Sequence, residues 1–268
     1  MKHRKASTLV ELLVVLAVLA LLLALVLPSL QSGRQSGITI LCANNLRQLN
    51  LISAIYCDQN LSFPQGFCML NHCVQTPPQG GFPGDHSNDW RGRWWFHYLE
   101  IEDLTSDGIL WCPARKKTYS VISDNILCSN YGINYSIAKR ASEQTNEEFL
   151  GSSLRKDQLR RPSQTLLYMD SGYALISWKA AAEMNNLFDN PARQSSFYLP
   201  GLDINRDRSI HPDQQDDAIK GRHPRQNVTV GLADGHVRRQ PAEDLFVQSN
   251  QQSVITAVSS AYIWSPGE

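Results

Sequence analysis

The sequence predicts an α+β protein: one long N-terminal helix, apolar enough to cross a membrane, carrying an exported head built on an antiparallel sheet with loop-rich insertions. Three stretches predict it. Residues 12–27 form an almost unbroken apolar run closed by Pro28. Residues 38–56 return an apolar side chain every three or four positions, at Ile38, Cys42, Leu46, Leu49, Ile52 and Tyr56, which is the period of an amphipathic helix. Finally, Val228, Val230 and Leu232 alternate with Thr229, Gly231 and Ala233 before Asp234-Gly235, the pattern of a strand entering a tight hairpin.

At the start of the chain a short basic head, Lys2, His3, Arg4 and Lys5, leads through Ala6-Ser7-Thr8 into the apolar segment. Counted from Leu9, the segment has roughly the twenty residues that a helix rising ~1.5 Å per residue needs to cross a ~30 Å hydrocarbon core. Glu11 is its single polar interruption. A secretory signal also has a basic start and an apolar core, but it ends in a small-x-small cleavage site, and residues 27–32 offer only a poor one. A plain anchor accounts for the length and for the Lys and Arg residues on the cytoplasmic side. It leaves Glu11 unexplained, because a carboxylate within a membrane costs at least ~2.5 kcal/mol and calls for a partner.

The order of basic leader, small residue, Ser7-Thr8-Leu9-Val10-Glu11 and long apolar helix resembles the N-terminus of type IV prepilins and type II secretion pseudopilins. Most members of that family have Gly before the cut and Phe after it, where this chain has Ala6 and Ser7. The resemblance implies cleavage between Ala6 and Ser7 by a membrane-embedded prepilin peptidase and N-methylation of Ser7. Glu11 becomes the fifth residue of the mature chain and Pro28 the helix-bending proline. It further implies a non-enzymatic, single-pass protein of the bacterial inner membrane with its head in the periplasm or extracytoplasmic space. Its partners would be copies of itself and other pseudopilins, in a type II secretion pseudopilus or related pilus-like fibre. A glutamate at this depth and the freed amine of a neighbouring subunit would each lower the other's desolvation cost.

The chain then divides into a leader at 1–6, a transmembrane and assembly helix at 7–30, and a head at 31–268 large enough for one good-sized core. Lys plus Arg number 25 and so do Asp plus Glu, for a net charge of zero, which argues against nucleic acid as a partner because phosphates need a basic face. Six cysteines in an exported head are free to pair. Their connectivity cannot be deduced from sequence. Short loops close easily, which favours Cys68 with Cys73 and Cys112 with Cys128. Zinc held by Cys68, Cys73, His72 and His86 is the rival, but no Cys-x-x-Cys pair is present and no metal is expected there.

In the head, residues 31–37 include Gly33 and Gly37, where the first helix is expected to loosen or bend. An amphipathic helix follows at 38–57, its stripe facing a sheet and Asn44, Arg47, Gln48 and Asn50 facing solvent or neighbouring subunits. The segment at 42–49, with Tyr56 and Phe63-Pro64 after it, is similar to one in a large-headed subgroup of pseudopilin-like proteins, as is Cys112-Pro113. Residues 60–89, rich in Pro, Gly and Asn, read as a long irregular excursion. The aromatic run after it, with Trp90, Trp94 and Trp95, is expected to be a core wall, against a stacking platform or adhesive face as the other reading. Strands are expected near 131–135 and 166–170, the second ending in Asp170 and a Ser171-Gly172 turn. Asp203, Asp207, Asp213, Asp216 and Asp217 lie in a polar insertion whose spacing does not match a calcium loop, although some pseudopilins hold calcium in the head.

The hairpin at 222–240 contains His223, Asp234 and Gly235 and resembles the prepilin-processing-associated motif of a His, nine intervening residues and Asp-Gly. Here ten residues intervene. His223 and Asp234 are expected to fix the hairpin through backbone hydrogen bonds, since no nucleophile motif or further ligand accompanies them. The alternative is a membrane-tethered hydrolase or ligand-binding module that gathers His223, Asp234, His236 and Asp170, and it requires the four to converge on an open cleft.

Overall fold

The computed structural model describes residues 9–69, 92–101, 108–114, 131–139, 141, 150–171, 174–176, 197–198, 222–245, 247–248 and 263. A single helix, α1 (Leu9–Asn60), runs through 52 residues, a length of about 78 Å. The helix continues without interruption through Gly33 and Gly37. A glycine costs only about 1 kcal/mol against alanine in a helix, whereas stopping there would forfeit hydrogen bonds on both sides. Ser29 and Ser36 also donate their hydroxyls back to the carbonyls of Val26 and Ser32, at 2.8 and 3.0 Å. Pro28 lies inside the helix and has no N–H to donate to the preceding turn. The helix stops where Asn60 donates its amide to the Tyr56 carbonyl and Leu61 takes a left-handed φ of 60°.

The two halves of α1 face different surroundings. Every residue from 9 to 37 is exposed, and the most apolar stretch has a mean hydropathy of 3.2 with none of it buried. From Thr39 onward one side is buried through Cys42, Leu46, Leu49, Asn50, Ser53 and Cys57. Cys42, Leu46 and Leu49 belong to the predicted stripe, while Ile38, Ile52 and Tyr56 are half-buried at its margin.

The strands of the head are β1 (Phe67–Met69), β2 (Gly92–Trp94), β3 (Tyr131–Asn134), β4 (Leu166–Asp170), β5 (Leu175–Ile176), β6 (Phe197–Tyr198), β7 (Asn227–Leu232), β8 (Val237–Pro241) and β9 (Val247–Gln248). Five of them form the main sheet in the order β5-β3-β4-β7-β8. Its pairings are antiparallel except for β5 with β3, so the sheet is antiparallel-rich, as expected, with one parallel edge pair. β1 pairs with β2, and β6 with β9, as separate two-stranded ribbons.

All of β7 is buried. Val228, Val230 and Leu232 point into a core with Leu166, Met169, Ile176, Ala242 and Leu245. Successive side chains alternate across a strand, so Thr229 and Gly231 face the other way, toward α1. The helix thus packs on the small-residue face of β7 rather than its apolar one. Asn50 is the contact: a Cβ at position 231 would stand 2.8 Å from its Nδ2 and 3.0 Å from its Oδ1. Asn50 is therefore buried, contrary to its expected place in solvent, and it donates to the His236 carbonyl at 3.4 Å. Asn44, Arg47 and Gln48 do not join it inside and remain exposed.

The larger core lies between α1, β3, β4 and the aromatic segment of β2 and α2 (Trp95–Tyr98). Trp94 and Trp95 have no exposed surface, and Phe96 is buried as well, so Trp94 and Trp95 form a core wall and offer no adhesive face; Trp90 lies outside the described residues. Trp95 donates its indole N–H to the Ala174 carbonyl at 2.8 Å and lies 5.1 Å, centroid to centroid, from Tyr168. The Tyr168 hydroxyl is in turn hydrogen-bonded to Ser53 of α1 at 2.6 Å. At the predicted hairpin, Gly235 takes a φ of 96° between β7 and β8, as a tight turn requires.

Gly231→Val should push Asn50 and α1 away from β7 and lower stability by about 1–3 kcal/mol, the usual cost of overpacking. Denaturant unfolding of the detergent-solubilised chain checks this; an unchanged midpoint would show that the approach of helix to sheet is not tight at this position.

Candidate functional site

Four separate segments bring polar and sulfur-bearing side chains together where α1 meets the end of the sheet. Thr39 and Cys42 are three residues apart and so share the inner face of α1. Cys112 follows a turn closed by the Trp111 N–H donating to the Gly108 carbonyl, and Asn45 of α1 fastens that turn by donating to the Trp111 carbonyl at 2.9 Å. Asp170 is the last residue of β4. His223 is bridged to Asn227 across a short turn in which Arg225 and Gln226 take left-handed φ values of 64° and 57°. The Asn227 amide supports that turn by donating to the carbonyls of Pro224 and Arg225.

Cys42, Cys112, Asp170 and His223 are all buried, and one sulfur, nitrogen or carboxylate oxygen from each lies within 4.8 Å of all the others. The Cys42 and Cys112 sulfurs are 3.1 Å apart. Cys42 Sγ donates to Asp170 Oδ1 at 2.9 Å, and Asp170 Oδ2 accepts the Thr229 backbone N–H at 2.7 Å. The Tyr131 hydroxyl donates to Cys42 Sγ at 3.1 Å. On the far side of the imidazole, Thr39 Oγ1 gives its proton to the Gln35 carbonyl and so is left to accept from His223 Nδ1 at 3.3 Å. His223 Nε2 then faces the cluster, 3.0 Å from Asp170 Oδ2 but without the alignment of a hydrogen bond.

The electrostatics follow from burial and close charge. Burial alone would lower the His223 pKa, but the Asp170 carboxylate outweighs it and pushes the group up to about 10. Burial likewise works against the Asp170 anion, and His223 and Arg222 overcome it and hold the carboxyl below its usual range. Burial raises Cys42 well above an ordinary thiol. For Cys112 burial also acts upward, but the adjacent Cys42 thiol, the nearby His223 imidazole and the charge of Arg222 bring it down to about 6. The cluster therefore joins one thiol disposed to ionise, one held as a proton donor, and an ion pair. Two thiols, an imidazole and a carboxylate are a donor set that can hold a divalent transition metal.

The four residues considered for a hydrolase do not share a site. Asp170 and His223 meet in the buried cluster. Asp234 and His236 pair with each other on the hairpin turn, where His236 Nδ1 lies 2.8 Å from Asp234 Oδ2 and the His236 side chain is 81 % exposed. Asp234 does brace the hairpin as expected, by accepting the His236 backbone N–H at 3.0 Å. His223 instead points into the core.

The cysteines depart from expectation as well. Cys112 is a free thiol, so the pairing of Cys112 with Cys128 is not formed; Leu110 and Trp111 are buried beside it and carry its sulfur inward to Cys42. Cys68 is disulfide-bonded, to none of the free thiols Cys42, Cys57 and Cys112, and a zinc site built on a Cys68 thiolate is thereby excluded. Cys73, Cys128, His72 and His86 lie outside the described residues, as do Ala6, Ser7, Asp203, Asp207, Asp213, Asp216 and Asp217. Sequence reasoning did not join Cys42 and Cys112 to Asp170 and His223. The only signal was that each stood separately in a recognisable segment.

At the other end of the molecule, residues 1–27 match the family model of the prokaryotic N-terminal methylation motif. No curated protein and no solved structure matches the chain. With that motif on an exposed apolar helix and an antiparallel-rich sheet behind it, the chain has an α+β, pilin-like fold. The motif supports a type IV pilin-like protein that is processed as a prepilin, a structural class, with one N-terminal helix that fits a single-pass membrane anchor.

Asp170→Ala should destabilise the head by about 3–5 kcal/mol, because it leaves the buried His223 charge unanswered. Asp234→Ala, which breaks an exposed pair, should cost no more than about 1 kcal/mol. Parallel urea titrations of the two variants check the contrast, and similar losses in both would refute the division into a buried and a superficial pair.

Proposed function

We propose that this chain is a prepilin-like structural subunit of a type II secretion pseudopilus or a related type IV pilus-like fibre. It is cut between Ala6 and Ser7 by a prepilin peptidase, methylated at Ser7, and assembled through the apolar half of α1 with copies of itself or other pseudopilins. The observation that carries this reading is the methylation motif on a helix whose residues 9–37 are exposed. Side chains such as Leu12, Leu16, Leu19 and Leu23, each about half exposed, need lipid or the helices of neighbouring subunits. Glu11 lies in the first turn of the helix, at the depth where the new amine of an adjacent subunit would sit in a staggered stack. Pairing the two charges there offsets their desolvation.

The head belongs outside the inner membrane in this reading, in keeping with the disulfide at Cys68. The hairpin from His223 to Asp234-Gly235 supports placement in the large-headed subgroup with the processing-associated C-terminal motif. No separate enzymatic role is assigned to the head.

Mass spectrometry of the N-terminus from the native host should recover a peptide beginning at N-methylated Ser7. An intact Met1, or a cut beyond residue 30, would overturn the reading. Glu11→Ala should abolish incorporation into fibres while leaving the unfolding transition of the head unchanged, measured by shearing and immunoblotting beside a denaturation curve. Normal assembly by this variant would exclude the charge pairing.

A further inference from the structure

We infer that Cys42, Cys112, Asp170 and His223 form a closed, four-coordinate site for a divalent transition metal, zinc by its chemistry, that fastens helix α1 to the sheet. The inference is independent of the proposed assembly function, and it departs from the expectation of a head without metal.

The donor set comes first. Thiolate, imidazole and carboxylate ligands, four in number and all from protein, are those of structural zinc, and the two sulfurs disfavour magnesium and calcium, which take oxygen ligands. The donor atoms are mutually within 4.8 Å, and the shortest separations are 2.9, 3.0 and 3.1 Å. Zinc–sulfur bonds of ~2.3 Å and zinc–nitrogen or zinc–oxygen bonds of ~2.0–2.1 Å set donor–donor separations of roughly 3.3–3.8 Å in a tetrahedron. The shortest pairs must open by about half an ångström and the widest must draw in, so that an ion at the centre is held by small adjustments of the four side chains.

The surroundings have the form that metal ligands require. Metal-bound histidines commonly donate the other ring N–H to a fixed acceptor, which orients the ring and sets the tautomer. Thr39 is that acceptor: its own proton goes to the Gln35 carbonyl, so Nδ1 donates to it, and Nε2 is turned to the cluster, where a metal ion would take the place of its proton. There Nε2 is buried and makes no hydrogen bond. Asp170 is oriented by the Thr229 N–H and Cys42 by the Tyr131 hydroxyl. Two thiolates, a carboxylate and a neutral imidazole leave a net charge of −1 around a divalent ion, and the Arg222 cation acts on both Asp170 and Cys112.

The state of the cysteines points the same way. Cys68 is disulfide-bonded, yet Cys42 and Cys112 are free thiols only 3.1 Å apart. No position is left open for water or substrate once all four ligands bind, so the role is structural.

The test uses the full-length chain purified in detergent, stripped with chelator under reducing conditions and titrated with zinc(II) or cobalt(II). One ion per chain is expected, and cobalt should give a thiolate charge-transfer band together with the strong visible absorption of a tetrahedral site. Zinc should raise the thermal unfolding midpoint above that of the chelated chain. Cys112→Ser and His223→Ala should lose the charge-transfer signature or the stoichiometric binding, while Cys57→Ser, which removes a buried free thiol elsewhere, should keep both. Thr39→Val retains every ligand and should weaken affinity by about 10–100-fold, which keeps the inference open to test should the ligand variants fail to fold. The inference is overturned if wild-type chain binds cobalt without a thiolate band, if Thr39→Val and Cys112→Ser bind as tightly as wild type, or if protein from the native host carries a Cys42–Cys112 disulfide.

Discussion

A single unbroken helix has to satisfy two solvents, and most of the structure follows from that constraint. Residues 9–37 are exposed and, over the apolar segment, tolerable only in lipid or among other helices, while the same rod supplies one wall of the core of the head from Thr39 to Cys57. The second half therefore cannot be greasy all round. It buries a narrow seam and adjusts the seam with polar groups: Ser53 to Tyr168, Asn50 to the His236 carbonyl, Asn45 to the Trp111 carbonyl. Each of these replaces a hydrogen bond to water that burial would otherwise have removed.

The sheet is shaped to receive that seam. β7 is buried on both sides, but it gives its bulky side chains to the core behind the sheet and presents Thr229 and Gly231 to the helix. Small residues at the crossing let the helix lie close, and closeness is what brings Thr39 and Cys42 within reach of the ends of β4 and β7. The buried cluster is thus a product of the packing: Asp170 at the end of one strand and His223 at the entrance to the next are adjacent because β4 and β7 are antiparallel neighbours. The proposed metal would secure a junction that the helix already makes.

The N-terminal half of this arrangement was legible in the sequence, because an apolar run, a basic head and a lone acid are local patterns. The Asp234-Gly235 hairpin and the inward face at Cys42, Leu46 and Leu49 were legible for the same reason. Elsewhere local signals misled. Gly33 and Gly37 suggest a loosening or bend, yet α1 continues as helix through both, because a propagating helix absorbs two glycines more cheaply than it ends. Asn50 looked like a surface residue, and its burial depends on a glycine 181 positions later, at Gly231. Cys112 was matched with Cys128 on loop length, whereas the burial of Leu110 and Trp111 turns its sulfur toward Cys42. The cluster itself has partners separated by 70, 128 and 184 positions, and no spacing rule spans such distances.

The position of Pro28 now has a mechanical meaning. The rod carries no break at Gly33 or Gly37, and its one missing backbone donor lies at the foot of the oily segment. The weakest point of its hydrogen-bond ladder thus falls in the exposed part of the rod, well before Thr39, while the part that meets β7 keeps every rung.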